Sequence, residues 1–225
     1  MRPNRLRELL DTGSPTLGTR IQSSWPTVVE LIGSAGTIDY VEFLAAYSPY
    51  DLYALDNLGR AIALFEHLSG MTKLTNLGLR DISSLTGATF DQFAGMTALE
   101  TLDLRETAVD NAALEHLKPL KNLKKLYLWH TSVTDEGLPT LAELSTLEEL
   151  DLEDIEISDA GLESIGKMAS LKVLKLANNE ISDAGLKHLE KLTGLKSLDL
   201  SQTGVSDEGV AAFKKAVPEC EVKQQ

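Results

Sequence analysis

The chain has 225 residues, enough for one or two domains with a sizeable core, and only 5% of them are aromatic, so aliphatic side chains must build most of the interior. Its net charge is −13, which repels phosphate backbones and anionic lipid and argues against nucleic acid or a membrane as partner, while mildly favouring a basic one. No apolar run approaches the roughly 18 residues that span a bilayer.

The first eight residues, Met1 to Glu8, carry basic side chains with no apolar stretch behind them long enough for a secretory signal. Apolar spacing then predicts a strand over 16–21, a helix over 26–32, a strand over 38–44 and a helix over 52–68. Ser24 is placed to cap the first helix, with Pro26 in its first turn, and Asp51 to cap the second. This is a β-α-β-α unit whose strands should run parallel through a right-handed crossover.

The stretches M-R-P-N-R-L-R-E-L-L, P-T-L-G-T and D-Y-V-E-F-L-A-A-Y-S-P-Y-D-L-Y-A-L-D-N-L resemble the start of HpcH/HpaI aldolases. Those are divalent-metal, pyruvate-type enzymes on a (β/α)8 barrel. The resemblance covers nearly all of residues 1–68 and implies the first two βα units of eight. In that family a base, usually His in an E-H-x-P setting, follows the second strand. The matching stretch is Ala46-Tyr47-Ser48-Pro49, so Tyr47 stands at the base's place. A phenol with a pKa of about 10 is a poor base at pH 7. The family's third-strand arginine and later metal-binding carboxylates have no counterpart, and two βα units cannot close a barrel. Neither catalysis nor a cofactor is expected.

Past Gly70 the pattern becomes an internal repeat. The spacing L-x-x-L-x-L occurs at Leu74-Leu77-Leu79, Leu99-Leu102-Leu104, Leu123-Leu126-Leu128, Leu147-Leu150-Leu152, Leu171-Leu174-Leu176 and Leu195-Leu198-Leu200, first 25 and then 24 residues apart. Thr107, Thr131, Ile155, Asn179 and Thr203 follow the strands. Cap candidates come next: Asp110, Thr134, Ser158, Ser182 and Ser206. Helical positions such as Leu114 and Leu117, or Leu162 and Ile165, share one face. Gly137, Gly161, Gly185 and Gly209 recur before the first of these, which points to close approach of neighbouring backbones. One strand-plus-helix unit cannot cover its own leucines. Stacked units, at ~4.8 Å per strand, bury them in one core. The segment T-x-V-T-D-E-G-L and its relatives resemble the leucine-rich repeats common in planctomycete-like bacteria.

The expected fold is therefore α/β: a right-handed leucine-rich-repeat solenoid with a parallel concave sheet and convex helices. Residues 71–225 hold about six repeats and a cap strand near 218–222. Residues 1–70, which carry 5 basic and 8 acidic side chains against 16 and 26 in the remainder, form a fused βαβα unit that extends or caps the sheet. Two other arrangements stay open: a separately packed lobe, and a sheet edge that pairs two chains into a weak homodimer. The sequence does not distinguish a natural fusion from an engineered one. The single cysteine, Cys220, rules out an internal disulfide, reads as a buried cap residue, and together with the missing signal favours the cytoplasm.

Positions between the strand leucines face the inner curve. Tyr127, Trp129 and His130 stand out there in a chain so poor in aromatics, with Arg80 and Arg105 on one side and Glu149, Asp151 and Glu153 on the other. Tyr, Trp and Arg dominate interface hot spots, so these residues are the candidate site for a protein or peptide. The competing reading is an ordinary surface whose charges pair across strands, as Lys125 with Glu149 and Lys175 with Asp151. A metal is not expected: the three carboxylates project ~7 Å apart along one strand. His67, His116, His130 and His188 also lack ligand spacing. A non-catalytic interaction module ranks first, a structural or engineered scaffold second, and a relict aldolase fragment third.

Overall fold

The computed structural model describes residues 18–21, 40–44, 72–82 and 85–224. The helices expected over 26–32 and 52–68, their caps Ser24 and Asp51, and Tyr47 lie outside the described residues. Among the described residues, nine strands form one parallel sheet in chain order: β1 (Gly18–Ile21), β2 (Tyr40–Leu44), β3 (Asn76–Arg80), β4 (Thr101–Asp103), β5 (Lys125–Tyr127), β6 (Glu149–Asp151), β7 (Val173–Lys175), β8 (Ser197–Asp199) and β9 (Glu221–Lys223). The N-terminal strands thus extend the repeat sheet. β2 pairs with β3 from Tyr40 opposite Asn76 to Leu44 opposite Arg80, and β1 pairs with β2.

The 24-residue period becomes a register in which equivalent residues face each other. Leu77 lies opposite Leu102, followed by Leu126, Leu150, Leu174, Leu198 and Val222. Leu102 through Leu198 in this row are wholly removed from water. Each such side chain contributes roughly 1.5–3 kcal/mol on burial, but only because a neighbouring coil lies on both sides.

The return path of each coil is short. The helices are α1 (Asn111–Glu115), α2 (Leu138–Leu141), α3 (Asp159–Ile165), α4 (Asp183–Leu186) and α5 (Asp207–Ala216), with 3-10 turns at Gly87–Gly95, Asp135–Gly137 and Lys187–Lys191. A coil of 24 residues must fit a strand and two corners, which leaves one or two helical turns, and only α5, in the last coil, runs longer, to 10 residues. Leu117 accordingly sits just past α1 and is buried from a turn. The irregular first repeat carries Phe90 and Phe93, both fully buried with ring centroids 4.6 Å apart. At the other end the cap strand falls at Glu221–Lys223, and Cys220 is buried behind it, its thiol pushed up to about 11 by desolvation. No helix among the described residues is long and apolar enough to cross a membrane.

Polar side chains lock coil to coil. Asp110, Ser158, Ser182 and Ser206 accept from the first-turn N–H groups of their helices, as their sequence positions suggest. Ser158 also donates from its N–H and hydroxyl to Asp135 of the preceding coil, at 3.0 and 2.5 Å. The same pair of bonds joins Ser182 to Asp159 at 2.8 and 2.5 Å, and Ser206 to Asp183 at 2.8 and 2.6 Å. Thr134 departs from the expected capping role. Asn111 replaces the aspartate there, and its amide donates to Thr134 Oγ1 at 2.8 Å, so that oxygen turns to the preceding coil and caps nothing. The donors from Ser206 hold the Asp183 carboxyl below the usual range, so this bond favours the fold above the unfolded carboxylate pKa and fades as pH falls through the lowered one.

The glycines make room for this ladder. A Cβ on Gly161 would stand 2.2 Å from Asp135 Oδ1. Gly166, which closes α3, is as tight and less forgiving: a Cβ there would lie 2.2 Å from the carbonyl oxygen of His188 in the next coil, a backbone atom that cannot swing away. Replacing glycine by alanine at a helix position ordinarily gains up to about 1 kcal/mol. Gly166→Ala is expected to do the reverse and lose about 1–3 kcal/mol through overpacking. A lowered urea midpoint with an unchanged m-value is the expected result.

Candidate binding face

Side chains alternate along each strand, so the leucines point inward and their neighbours line the inner curve. The register sorts those neighbours into rows. Thr101, Lys125, Glu149, Val173 and Ser197 form one row, and Asp103, Tyr127, Asp151, Lys175 and Asp199 the next. Two residues further on lie Arg105, Trp129, Glu153, Ala177 and Ser201. Neighbouring coils are joined there by backbone bonds from Glu106 to Trp129, His130 to Glu153, Asp154 to Ala177 and Asn178 to Ser201, at 2.9–3.2 Å.

Arg80, Arg105, Tyr127 and Trp129 come together on one part of this surface, each partly exposed. Asp103 clamps both arginines: Arg105 donates to it through Nε at 2.9 Å and NH2 at 2.6 Å, and Arg80 Nε lies 3.1 Å from it. The Arg105 guanidinium, held charged by that bond to Asp103, sits 5.2 Å from the centre of the Tyr127 ring. The Tyr127 hydroxyl donates to Glu149 at 2.9 Å, and Lys125 meets the other carboxylate oxygen at 2.9 Å. Burial first, and then the bond to Glu149, push the Tyr127 phenol well above its ordinary value.

Two expectations need correcting. Asp151, placed by the sequence among solvent-facing residues, is 1% exposed and pairs with Lys175 at 3.1 Å. It also accepts the N–H of Glu153, as Asp103 does that of Arg105 and Asp199 that of Ser201. These aspartates brace the strand ends, and the long Arg and Lys side chains beside them close over the carboxylates. His130 is not a strand residue. It occupies the corner after β5 with φ 53°, one of six consecutive left-handed corners without glycine, together with Asp81, Glu106, Asp154, Asn178 and Gln202. There its Nδ1 lies 2.9 Å from Asp154, which also accepts from Asn178, so the imidazole is exposed on the rim rather than on the sheet.

The remaining carboxylate, Glu153, is partly exposed and lies 3.9 Å from Lys175. Burial and the charge of Asp151 raise its pKa. Glu149 thus meets Lys125 and Tyr127, while Asp151 and Glu153 share Lys175, and no group of three His, Cys, Asp or Glu side chains suited to a metal occurs among the described residues. Both cross-strand pairs read from the sequence, Lys125 with Glu149 and Lys175 with Asp151, are present.

Residues 145–205 match the family model for leucine rich repeats. An internalin (inlF) from Listeria monocytogenes is similar over 86% of this chain and 56% of its own, at 18% identity and a TM-score of 0.59. This chain thus spans little more than half the length of that internalin. Internalin C2 (inlC2) from the same organism is similar over 71% of this chain and 75% of its own, at 23% identity and a TM-score of 0.55. At these identities the likeness is one of fold: an α/β leucine-rich-repeat solenoid. No curated protein matches the chain in sequence.

The bond from Tyr127 to Glu149 has a spectroscopic signature. The raised phenol pKa means that the neutral form is favoured in the fold, with the contribution intact below about pH 10 and lost as pH rises through the folded value. In an absorbance titration of phenolate, Tyr127→Phe is expected to remove a tyrosine step that lies above the ordinary tyrosine range. Glu149→Gln should bring that step to lower pH.

Proposed function

We propose that the chain is a non-catalytic interaction module that holds a protein or peptide segment against its concave sheet, with Tyr127 and Trp129 as anchors and Arg80 and Arg105 beside them. The carrying observation is the clustering of these four partly exposed side chains in the middle of a surface otherwise lined by small or ion-paired residues. Large rigid rings with little rotamer freedom bind at low entropic cost, and arginine over an aromatic face is already ordered. Asp151 enters only as a brace, and His130 contributes at the rim. The proposed partner is a protein carrying basic groups, and neither nucleic acid nor a membrane surface suits an acidic chain. The proposed setting is the cytoplasm, in keeping with a lone buried thiol.

Residues 1–70 are proposed to serve as the N-terminal cap, which the register of β2 against β3 supports. On this reading the aldolase-like segment is a relict with no activity of its own. A pyruvate-aldolase assay of the full chain with Mg²⁺ or Mn²⁺ should give no rate above background, and turnover would reinstate the enzyme reading. Binding is tested with dodecapeptides selected from a displayed random library on the full chain. Tyr127→Ala and Trp129→Ala should each weaken the selected peptides at least tenfold, the range of interface hot spots. Glu163→Ala on the convex side should leave them unchanged. Peptides that bind all three variants like the parent would place the site elsewhere.

A further inference from the structure

We infer that Glu153, standing beside Trp129 across the junction of β5 and β6, receives a lysine or arginine side chain of the bound segment, with the Trp129 indole as the wall of that subsite. The inference rests on the concave-face reading above and assigns the charge of its ligand at one position. Most carboxylates facing the inner curve already have a close cation. Asp103 has Arg105 at 2.6 Å, Glu149 has Lys125 at 2.9 Å, Asp151 has Lys175 at 3.1 Å and Asp199 has Lys223 at 2.9 Å. Glu153 differs. Its nearest ammonium is that of Lys175, 3.9 Å away and already closer to Asp151. The side chain retains 26% of its exposure, so a ligand can reach it.

The relief of the surface supports the same assignment. On the far side of Glu153 its row continues with the short Ala177 and Ser201; the adjoining row holds the ion-paired Lys175 and Asp199, and the row beyond it Val173 and Ser197. On the near side the row rises to Trp129 and Arg105. A cation arriving at Glu153 therefore lies between a carboxylate and an indole, two groups that attract it by different means. Arg105 beyond the indole repels it from the other side. Burial first and then the charge of Asp151 disfavour the ionised form of Glu153, and a docked cation offsets the second of these.

The probes are the same selected dodecapeptides, sequenced and measured on the full chain and on Glu153→Gln and Glu153→Lys. The parent should select peptides with Lys or Arg at one constant position, and replacing that residue by norleucine should weaken binding about tenfold. Glu153→Gln should lose about tenfold for the parent peptide and little for the norleucine peptide. A fresh selection on Glu153→Lys should place Asp or Glu at the same position. Peptides that depend on Trp129 but show neither basic enrichment nor response to Glu153→Gln would overturn this inference and leave the binding face standing. Peptides indifferent to both Trp129 and Glu153, or no selected peptides at all, would overturn both.

Discussion

Every layer of this protein depends on one constraint: a single 24-residue coil has no second surface on which to lay its leucines. Leu126 is dry because Leu102 and Leu150 stand on either side of it, and each of those needs its own next neighbour. The core is thus a line rather than a ball, and its two ends are where the requirement goes unmet. The structure meets it differently at each. Toward the C-terminus, Phe213, Val217 and Cys220 close over the last coil and β9 completes the ladder with Val222. Toward the N-terminus, Phe90 and Phe93 fill the return path of the first repeat while β2 and β1 continue the sheet.

Apolar stacking alone would tolerate a slip of one coil on the next, because leucines are interchangeable. The aspartate–serine bonds remove that freedom, since a carboxylate accepting both an N–H and a hydroxyl from the same residue has one satisfactory position. The sequence T/S-D-x-G is the compressed form of this device. The hydroxyl residue caps its own helix or turns back to the previous coil, the aspartate reaches forward, and the glycine leaves room for the carboxylate of the preceding coil. Asn179 and the threonines at the equivalent site act on the other corner, where Thr107, Thr131 and Thr203 each donate to the carbonyl of the strand leucine three residues before.

Much of this was legible because periodicity reports burial. The leucine frames, the capping serines, the glycine column and the C-terminal strand all follow from positions that every repeat treats alike. What escaped was information carried by alternate repeats. Asp103, Asp151 and Asp199 occur 48 residues apart, each accepting the N–H two residues on, and that spacing was the available signal of a bracing role. Read singly, an aspartate between two leucines looks exposed. Its burial comes from long cationic neighbours that fold over it, a tertiary effect. The helices were overestimated for a related reason: one-face spacing continues past the last helical residue, as Leu117 shows, because the core also claims side chains from turns. His130 was misplaced since a left-handed corner without glycine leaves no mark in composition.

The separation of invariant and variable positions also bears on the proposed site. Residues that repeat every 24 positions build a surface with the same chemistry at each step, and such a surface gives a ligand no reason to prefer one register or direction. Direction must come from the positions that break the repeat. On the inner curve these run from Arg80 and Arg105, through Tyr127 and Trp129, to Glu153 and then to small residues at Ala177 and Ser201. The order is cation, aromatic, anion, floor. An extended segment laid across it meets a different group at each strand, about 4.8 Å apart, so reversing the segment would set like charges together at both charged ends. The scaffold thus supplies spacing and rigidity, and the few side chains exempt from its pattern supply polarity.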